Sequence, residues 1–339
     1  MEKKRPLLAE ALTQVFLKTR GILKMSQIWL PLSLILTAES RLNTDPRLQL
    51  SLYLLYAVLS KGLSGILIND LTDREIDRRS GKERWITSVH FLAGVLIPVV
   101  LLASGFIALI KAGSDTTVLA AFTATALVGT FYSLKPIRFK ERGIWGILAY
   151  SFSAAILHAL VPWTLFRPPF WLLPFLFVII LAEKWVQILF HQIVDYDTDS
   201  AERVRSFAVV AGSSKAEQGL GFISHVALTV DLVVLGYILY FMKEKPLFCW
   251  LIGLAGLGGI IGSFFYVRVI SKKHKTTTAL TEKLPWAYLG LSHVLFHVIP
   301  TLLFLALTLS EPKMGILAGL SALSLLGVSV NYFLYNPKK

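Results

Sequence analysis

The sequence predicts an all-α protein, a polytopic bundle of transmembrane helices with about nine or ten spans. The chain of 339 residues is 55% hydrophobic and only 16% charged. Its mean hydropathy is +0.63, which is not typical of a soluble globular domain. Apolar runs of membrane-spanning length recur along the chain, and Lys and Arg are concentrated in alternate connections between them. Together these observations exclude a soluble fold.

Ten apolar segments are predicted to be membrane helices, each bounded by polar or charged residues. The second, sixth and tenth segments contain more polar residues than the third. The segments lie at about 25–40, 48–69, 86–110, 117–134, 144–165, 170–194, 217–242, 247–270, 286–309 and 314–335. Residues 25–339 are therefore predicted to form a single transmembrane domain.

The first 24 residues have a different character. We interpret residues 1–24 as a cytoplasmic amphipathic segment, with a helix over about 6–22 that lies on the membrane surface. Charged residues interrupt this segment too often for a signal peptide. Four apolar side chains share one face of the predicted helix: Leu8, Leu12, Val15 and Phe16.

Positive charge predicts the orientation of the bundle. With the N-terminus in the cytoplasm, 25 of the 34 Lys and Arg residues fall in cytoplasmic segments and seven fall in the opposite loops. Lys61 and Lys184 lie within predicted spans. The net charge of +13 is spread over many loops, which argues against a nucleic-acid partner. We expect a multi-pass protein of a prokaryotic plasma membrane, with its active site facing the cytoplasm.

Eight of the 21 acidic residues lie in two clusters, each at the cytoplasmic end of a predicted span. The first cluster runs from Asn69 to Asp77. If the second span stays helical through residue 77, about one quadrant of its surface carries four oxygen-bearing side chains, those of Asn69, Asp70, Asp73 and Asp77. Such hard oxygen ligands suit Mg²⁺ together with water and phosphate. The alternative interpretation is a solvated helix end with alternating charges.

The second cluster runs from Asp195 to Glu202, and its residues Asp195 and Asp199 share a helix face. A polar stripe leads to it along an apolar helix: Lys184, Gln187, His191 and Asp195. Charged side chains at that depth normally face a protein interior or a wet cavity. The stripe therefore predicts one wall of a polar cavity that opens to the cytoplasm. The alternative is an internal ion pair between Glu183 and Lys184 that packs helices together.

A basic loop follows the fourth span on the same side of the membrane. Its cations are Lys135, Arg138 and Lys140, and Tyr132 precedes them as a hydrogen-bond donor. Taken alone, this is an ordinary positive loop on the cytoplasmic side. Beside two carboxylate clusters it suggests a diphosphate held by metal ions and by Lys and Arg. Arg203 and Arg205, just after the second cluster, are similar.

These motifs resemble those of the UbiA superfamily of intramembrane prenyltransferases. The string from Asn69 to Asp77 matches its NDxxDxxxD signature, and Asp195 to Asp199 matches its second motif, DxxxD. The string from Tyr132 to Lys140 is similar to the basic loop of chlorophyll-synthase-like members. Two features depart from the usual pattern: no Arg-Pro pair follows the first motif, and Arg203 stands where many members have Gly.

The resemblance implies a helical bundle with a central cavity and a prenyl diphosphate bound through two Mg²⁺ ions. By position, the implied metal-binding residues are Asn69, Asp70, Asp73, Asp77, Asp195 and Asp199. The implied diphosphate-binding residues are Tyr132, Lys135, Arg138, Lys140 and Arg205. Catalytic roles fall to Asp73, Asp195 and Lys135. The implied reaction would transfer a prenyl group from a polyprenyl diphosphate to a small aromatic, quinone-precursor or lipid acceptor, through ionisation to an allylic cation.

Other functions remain open on the sequence alone. A terpene cyclase or a transferase of another activated donor, such as a phosphoribosyl group, would use a similar site. A cation-coupled transporter would place paired carboxylates nearer the middle of the membrane. Cys249 is the only cysteine, which excludes an intramolecular disulfide and a cysteine-rich metal site. His158, His293 and His297 lie in predicted spans, and we interpret them as buried, hydrogen-bonded residues with acceptor contact as the alternative.

Overall fold

The computed structural model describes residues 21–38, 44–79, 90–271 and 286–334, and these residues are almost entirely helical. Within these ranges, the one β-bridge is an isolated parallel bridge between Gly143 and Ser206. The α-helices are α1 (Gly21–Thr37), α2 (Thr44–Thr72), α3 (Arg74–Arg79), α4 (Phe91–Lys111), α5 (Thr116–Ser133), α6 (Ile144–Ala155), α7 (Val161–Phe166), α8 (Leu172–Val194), α9 (Tyr196–Ala201), α10 (Phe207–Ala211), α11 (Ser213–Phe241), α12 (Pro246–Ser271), α13 (Trp286–His293), α14 (Ile299–Thr308) and α15 (Gly315–Leu334).

Helices occupy all ten of the predicted apolar segments. Eight of the helical stretches in the described ranges are long and apolar enough to cross a membrane. The first and last apolar helices are shorter, at Gln27–Thr37 and Pro312–Leu326. The all-helical membrane bundle is thus confirmed. The predicted surface helix over about 6–22 lies almost wholly outside the described residues, so the division of the chain at residue 24 stays a prediction.

The first helix lies in the core of the bundle. Residues 27–36 of α1 are all buried, on every face of the helix. A helix that is apolar all round is expected to be enclosed by other helices, and α1 packs against α2, α14 and α15. By contrast, α4 leaves Val95, Val99 and Val100 exposed, as expected of a helix that faces lipid.

Two spans contain a widened turn. A π-helical turn at Ile156–Leu160 joins α6 to α7, and another at Val294–Val298 joins α13 to α14. Each is followed at once by a proline near the start of the next helix, Pro162 and Pro300. Proline has no N–H and its ring clashes with the carbonyl four residues earlier, so the helix must rearrange there. The first widened turn carries His158 to the central cavity.

The helices that carry the sequence motifs are neighbours. The α8 helix packs against α6 and α11, and α2 packs against α4 and α5. The ends of α2, α5 and α8 therefore bring the two acidic clusters and the basic loop to one end of the bundle, which we call the acidic end. Hydrogen-bonded helices satisfy every backbone group internally, which allows the spans themselves to be apolar.

Candidate active site

The first acidic cluster lies across a break between two helices. The assumed single helix through residue 77 is interrupted, because α2 ends at Thr72 and α3 begins at Arg74. The helical hydrogen bonds nevertheless continue across the break. The Asp73 N–H donates to the Asn69 carbonyl at 3.0 Å, and the Asp77 N–H donates to the Asp73 carbonyl at 2.8 Å. Asn69, Asp73 and Asp77 therefore keep helical spacing, as the sequence predicted.

The basic loop folds onto Asp73. Lys140 Nζ lies 2.5 Å from both carboxylate oxygens of Asp73, and Arg138 Nη2 donates to Oδ1 at 3.0 Å. All three side chains are largely buried, with exposed fractions of 17% for Asp73, 13% for Lys140 and 8% for Arg138. Arg138 has a left-handed backbone (φ 44°), which is uncommon for a residue other than glycine. The loop thus neutralises the central carboxylate of the first cluster.

Asn69 belongs to the same network. Its Oδ1 accepts hydrogen bonds from Lys140 Nζ at 3.1 Å and from Ser133 Oγ at 2.7 Å. The sequence analysis did not identify Ser133, although it stands directly after Tyr132 at the end of α5. The Lys140 ammonium therefore lies among three oxygens supplied by Asn69 and Asp73, which shows that these oxygens converge on a positive charge.

Burial also affects the charge of Lys140. Loss of solvent lowers the pKa of the Lys140 ammonium from its ordinary value of 10.5, and the neighbouring Asp73 carboxylate opposes this shift.

A close turn holds the loop in place, because a Cβ at Gly146 would lie 2.7 Å from the Phe139 carbonyl oxygen. Glycine at position 146 lets the start of α6 approach the loop backbone at this distance.

The second acidic cluster is more exposed than the first. Asp195 directly follows α8 and is exposed, while Asp199 in α9 is half-buried. The Asp199 N–H donates to the Asp195 carbonyl at 2.8 Å, so the two residues keep helical spacing. Arg79 Nη1 lies 3.6 Å from Glu202 Oε2, which connects the ends of the two clusters. Tyr132 lies within electrostatic reach of both Asp73 and Asp199.

The loop after the second cluster meets the loop after the fourth span. The Gly143 N–H donates to the Arg205 carbonyl at 3.2 Å, and the Phe207 N–H donates to Gln192 Oε1 at 3.0 Å. The side chains of Lys135 and Arg205 are both exposed at this end of the bundle. Among the predicted diphosphate-binding residues, Arg138 and Lys140 contact Asp73, whereas Lys135 and Arg205 are exposed to solvent.

A central cavity of about 270 Å³ begins beside these clusters. Asn69, Tyr132 and Ser133 line it near the acidic end, and Gln27, His158 and Lys184 line it deeper in the bundle. His158 Nδ1 donates to the Ala154 carbonyl at 2.8 Å. Apolar residues make up most of the remaining wall, among them Val58, Leu59, Leu63, Ile66, Val128 and Leu157. The cavity therefore joins a charged opening to an apolar interior.

Of the predicted polar stripe of α8, Lys184 lines this cavity, while His191 and Asp195 are exposed. Lys184 Nζ donates to Gln187 Oε1 at 3.2 Å, and Gln27 Nε2 of α1 donates to the same oxygen at 3.0 Å. Glu183 lies on another face of α8, close to Tyr288 and Ser292. The sequence analysis missed Gln27, whose only signal was a single amide within an apolar run.

The donor chemistry at the acidic end fits a hard divalent cation. Asn69 and Asp73 supply amide and carboxylate oxygens, which Mg²⁺ prefers over nitrogen or sulfur. Within the described part of the chain, no three His, Cys, Asp or Glu side chains converge on one point. The carboxylates of the two clusters are thus not assembled into one ligand sphere in this structure.

His293 and His297 lie together with ring centroids 4.8 Å apart, on the span that contains α13 and α14.

Comparison with known proteins places these features in a family. A family model described as the UbiA prenyltransferase family matches residues 28–288. A search of curated protein sequences found no match. One similar solved structure is a UbiA homolog from Archaeoglobus fulgidus bound to DMAPP and Mg²⁺, with 14% identity and a TM-score of 0.56 over 85% of this chain and 98% of that chain.

Two other solved structures share the fold. A digeranylgeranylglyceryl phosphate synthase is 17% identical, with a TM-score of 0.53 over 88% of this chain and 96% of that chain. A UbiA homolog from Aeropyrum pernix K1 is 13% identical, with a TM-score of 0.55 over 87% of this chain and 98% of that chain. At these identities the likeness shows a common fold. Because the family model matches far more than half of the sequence, the chain belongs to the UbiA prenyltransferase family.

Proposed function

We propose that the chain is a magnesium-dependent prenyltransferase that moves a prenyl group from a polyprenyl diphosphate to an aromatic, quinone-precursor or lipid acceptor. The observation that carries the proposal is the contact of Lys140 and Arg138 with Asp73 at the opening of the central cavity. Solved homologs bound to DMAPP or GPP together with Mg²⁺ support the same donor class. We place the active site on the cytoplasmic side of a prokaryotic plasma membrane, because most of the Lys and Arg residues fall on that side.

The proposed metal-binding residues are those of the two acidic clusters. Two Mg²⁺ ions would be held by Asn69, Asp70, Asp73, Asp77, Asp195 and Asp199. Asp73 and Asn69 support this role, because their oxygens already surround the Lys140 ammonium. When bound, Mg²⁺ supplies positive charge that stabilises the diphosphate as a leaving group.

The basic side chains are proposed to hold the diphosphate directly. Lys140 and Arg138 exchange their contacts with Asp73 for contacts with phosphate oxygens, a geometry that suits the guanidinium fork. Tyr132 donates from the cavity wall, while Lys135 and Arg205 approach from solvent. Asp73, Asp195 and Lys135 keep the catalytic roles that the resemblance implies, since each would position charge around the breaking bond between carbon and oxygen.

The cavity is proposed to hold the prenyl chain and the acceptor. Its walls are mainly apolar, so water is largely excluded from the place where the allylic cation forms. Departure of diphosphate leaves the positive charge on the prenyl carbon. The acceptor then forms the new bond with this carbon and loses a proton.

The test is diphosphate release by the full chain in nanodiscs. Geranyl, farnesyl and geranylgeranyl diphosphates are supplied with Mg²⁺ and a panel of aromatic and lipid acceptors, and labelled product is extracted. We expect release that stops with EDTA and that falls sharply in Asp73→Asn. Release that needs no divalent metal, or that is unchanged in Asp73→Asn, would overturn the assignment.

A further inference from the structure

A pair of carboxylates lies in the middle of the bundle, away from the acidic end. Glu183 stands at the centre of α8, and Asp231 stands ten residues, or about 15 Å, before the end of α11. Both side chains are almost completely buried, with exposed fractions of 3% for Glu183 and 1% for Asp231. The described lining of the central cavity includes neither residue. The proposed prenyl transfer therefore leaves this pair without a role.

The pair lies where three helices meet. The α11 helix packs against both α8 and α13. Asp231 lies within electrostatic reach of Glu183, and Tyr288 of α13 lies within reach of both carboxylates. Ser292, one turn after Tyr288, is close to Glu183. Carboxylate and hydroxyl oxygens from three helices thus share one buried region.

Three of the four carboxylate oxygens in this region lack a partner. Within the described ranges, Glu183 Oε1 and both carboxylate oxygens of Asp231 are buried without a hydrogen-bond partner. The neighbours of Asp231 along the buried face of α11 are apolar, namely Ala227 and Val234. A carboxylate is strongly disfavoured in such surroundings unless a donor or a positive charge compensates it. These oxygens therefore indicate a bound cation.

The charges around the pair indicate a monovalent cation. The Lys184 ammonium lies within electrostatic reach of Glu183 and offsets one of the two carboxylates. One negative charge remains, and a single monovalent cation neutralises it. A divalent ion would leave an excess positive charge in the middle of the membrane, where net charge is costly. Oxygen ligands suit a hard cation such as Na⁺, and ionisable residues at this depth often mark ion sites.

We propose that Glu183 and Asp231 bind one alkali-metal cation, for which Na⁺ is the probe. The hydroxyl oxygens of Tyr288 and Ser292 contribute to its coordination. The cation links α8, α11 and α13, and because the site exists only when these helices are packed together, binding stabilises the folded bundle. The proposal does not depend on prenyl transfer, since it concerns a site outside the central cavity.

The test is the thermal stability of the full chain in nanodiscs that have been exchanged into choline chloride. NaCl then replaces choline chloride stepwise at constant ionic strength and fixed Mg²⁺. Na⁺ is expected to raise the Tm by a few degrees along a saturating curve. Binding of radiolabelled Na⁺ to the wild-type chain, competed by unlabelled Na⁺, measures the site directly. A Tm that does not respond to Na⁺ overturns the proposal, and one that responds only to pH assigns the pair to a shared proton instead.

The variants are Asp231→Asn, Glu183→Gln and Ser292→Ala. The first two preserve the shape of the side chain and remove its charge, so they should abolish the Na⁺-dependent rise in Tm. Ser292→Ala removes one hydroxyl and should raise the Na⁺ concentration at half of the rise several-fold. Asp195→Asn is the matched control, because it removes a carboxylate of the acidic end and should keep the full rise. A full rise in Asp231→Asn, or loss of the rise in Asp195→Asn, would overturn the proposal.

Discussion

The two acidic clusters both carry carboxylates at helical spacing, but their surroundings differ. In the first, Asp73 is mostly buried and contacts two cations of the basic loop. In the second, Asp195 is exposed just after α8, and Glu202 contacts Arg79, which follows the first cluster. Spacing of carboxylates along a helix therefore does not determine the environment of the motif. The loop after α5 makes the difference, because it returns to α2.

This difference suggests different duties for the clusters. Charged groups that are already in place around a leaving group need little rearrangement during the reaction. In the first cluster, Asp73, Lys140 and Arg138 already lie in contact, so under the proposed function the two cations need only exchange Asp73 for phosphate oxygens. The exposed second cluster is better suited to receive a hydrated cation, since Mg²⁺ gives up its water reluctantly. Four predictions would break or sharpen this comparison.

The largest effect is expected from Asp73→Asn. The substitution preserves shape but removes the charge that Lys140 and Arg138 contact, and diphosphate release should fall at least about 1,000-fold. The measurement is the rate of release from a labelled prenyl diphosphate at saturating Mg²⁺. Asp197→Asn is the control, because Asp197 is an exposed carboxylate of the second cluster outside the proposed ligand set. Equal losses of release rate in Asp73→Asn and Asp197→Asn would show that the buried carboxylate matters no more than an exposed one.

A smaller loss is expected from Lys140→Met. Removal of a buried cation that would contact the diphosphate should reduce kcat/KM about 100-fold. Lys135→Met should cost only about fivefold, since an exposed charge is screened by water and salt. The comparison of the two rates tests whether burial of the loop cation matters. A larger loss in Lys135→Met would show that the loop rearranges when substrate binds.

Asp195→Asn is expected to change the metal requirement more than the maximal rate. Loss of one exposed carboxylate ligand should raise the Mg²⁺ concentration for half-maximal release about tenfold. The measurement is a Mg²⁺ titration of the release rate, compared with wild type. An unchanged Mg²⁺ titration together with a large fall in the maximal rate would assign Asp195 to the reaction itself.

The smallest catalytic effect is expected at an acidic residue on the opposite end of the bundle. The Val118 N–H and the Arg167 guanidinium hold the pKa of Asp115 below its ordinary value of 3.8. A carboxylate whose pKa is lowered by folding stabilises the fold at pH values above its ordinary pKa. This contribution is lost as the pH falls through the lowered pKa. Asp115→Ala should therefore lower the Tm by a few degrees at neutral pH, with the difference shrinking only below pH 3.8. The release rate should be unchanged, and a fall in it would show that the two ends are coupled.

Much of this arrangement could be predicted from local sequence. The apolar runs located the helices because each run must satisfy its backbone within the membrane. The helical spacing of Asn69, Asp73 and Asp77 followed from the period of an α-helix, even across the break at residue 73. Inward placement of Lys184 followed from the cost of a charge facing lipid.

Long-range contacts could not be predicted in this way. The hydrogen bond between Gln27 and Gln187 joins residues 160 positions apart and depends on how α1 and α8 are rotated. The fold of the basic loop depends on the left-handed backbone of Arg138 and on the space at Gly146. The widened turns were also missed, although Pro162 and Pro300 gave a signal within apolar runs.

Lys184 and Glu183 also determine how α8 is turned about its own axis. Neighbouring residues on a helix are about 100° apart, so a rotation that turned Glu183 into the cavity would carry Lys184 a further 100° away from it. Glu183 would then move away from Tyr288 and Ser292, and Gln187 would lose the hydrogen bond from Gln27 of α1. Apolar side chains in a membrane tolerate many rotational settings of a helix. Two adjacent charges of opposite sign allow α8 only one rotational setting. They therefore fix where the second acidic cluster emerges.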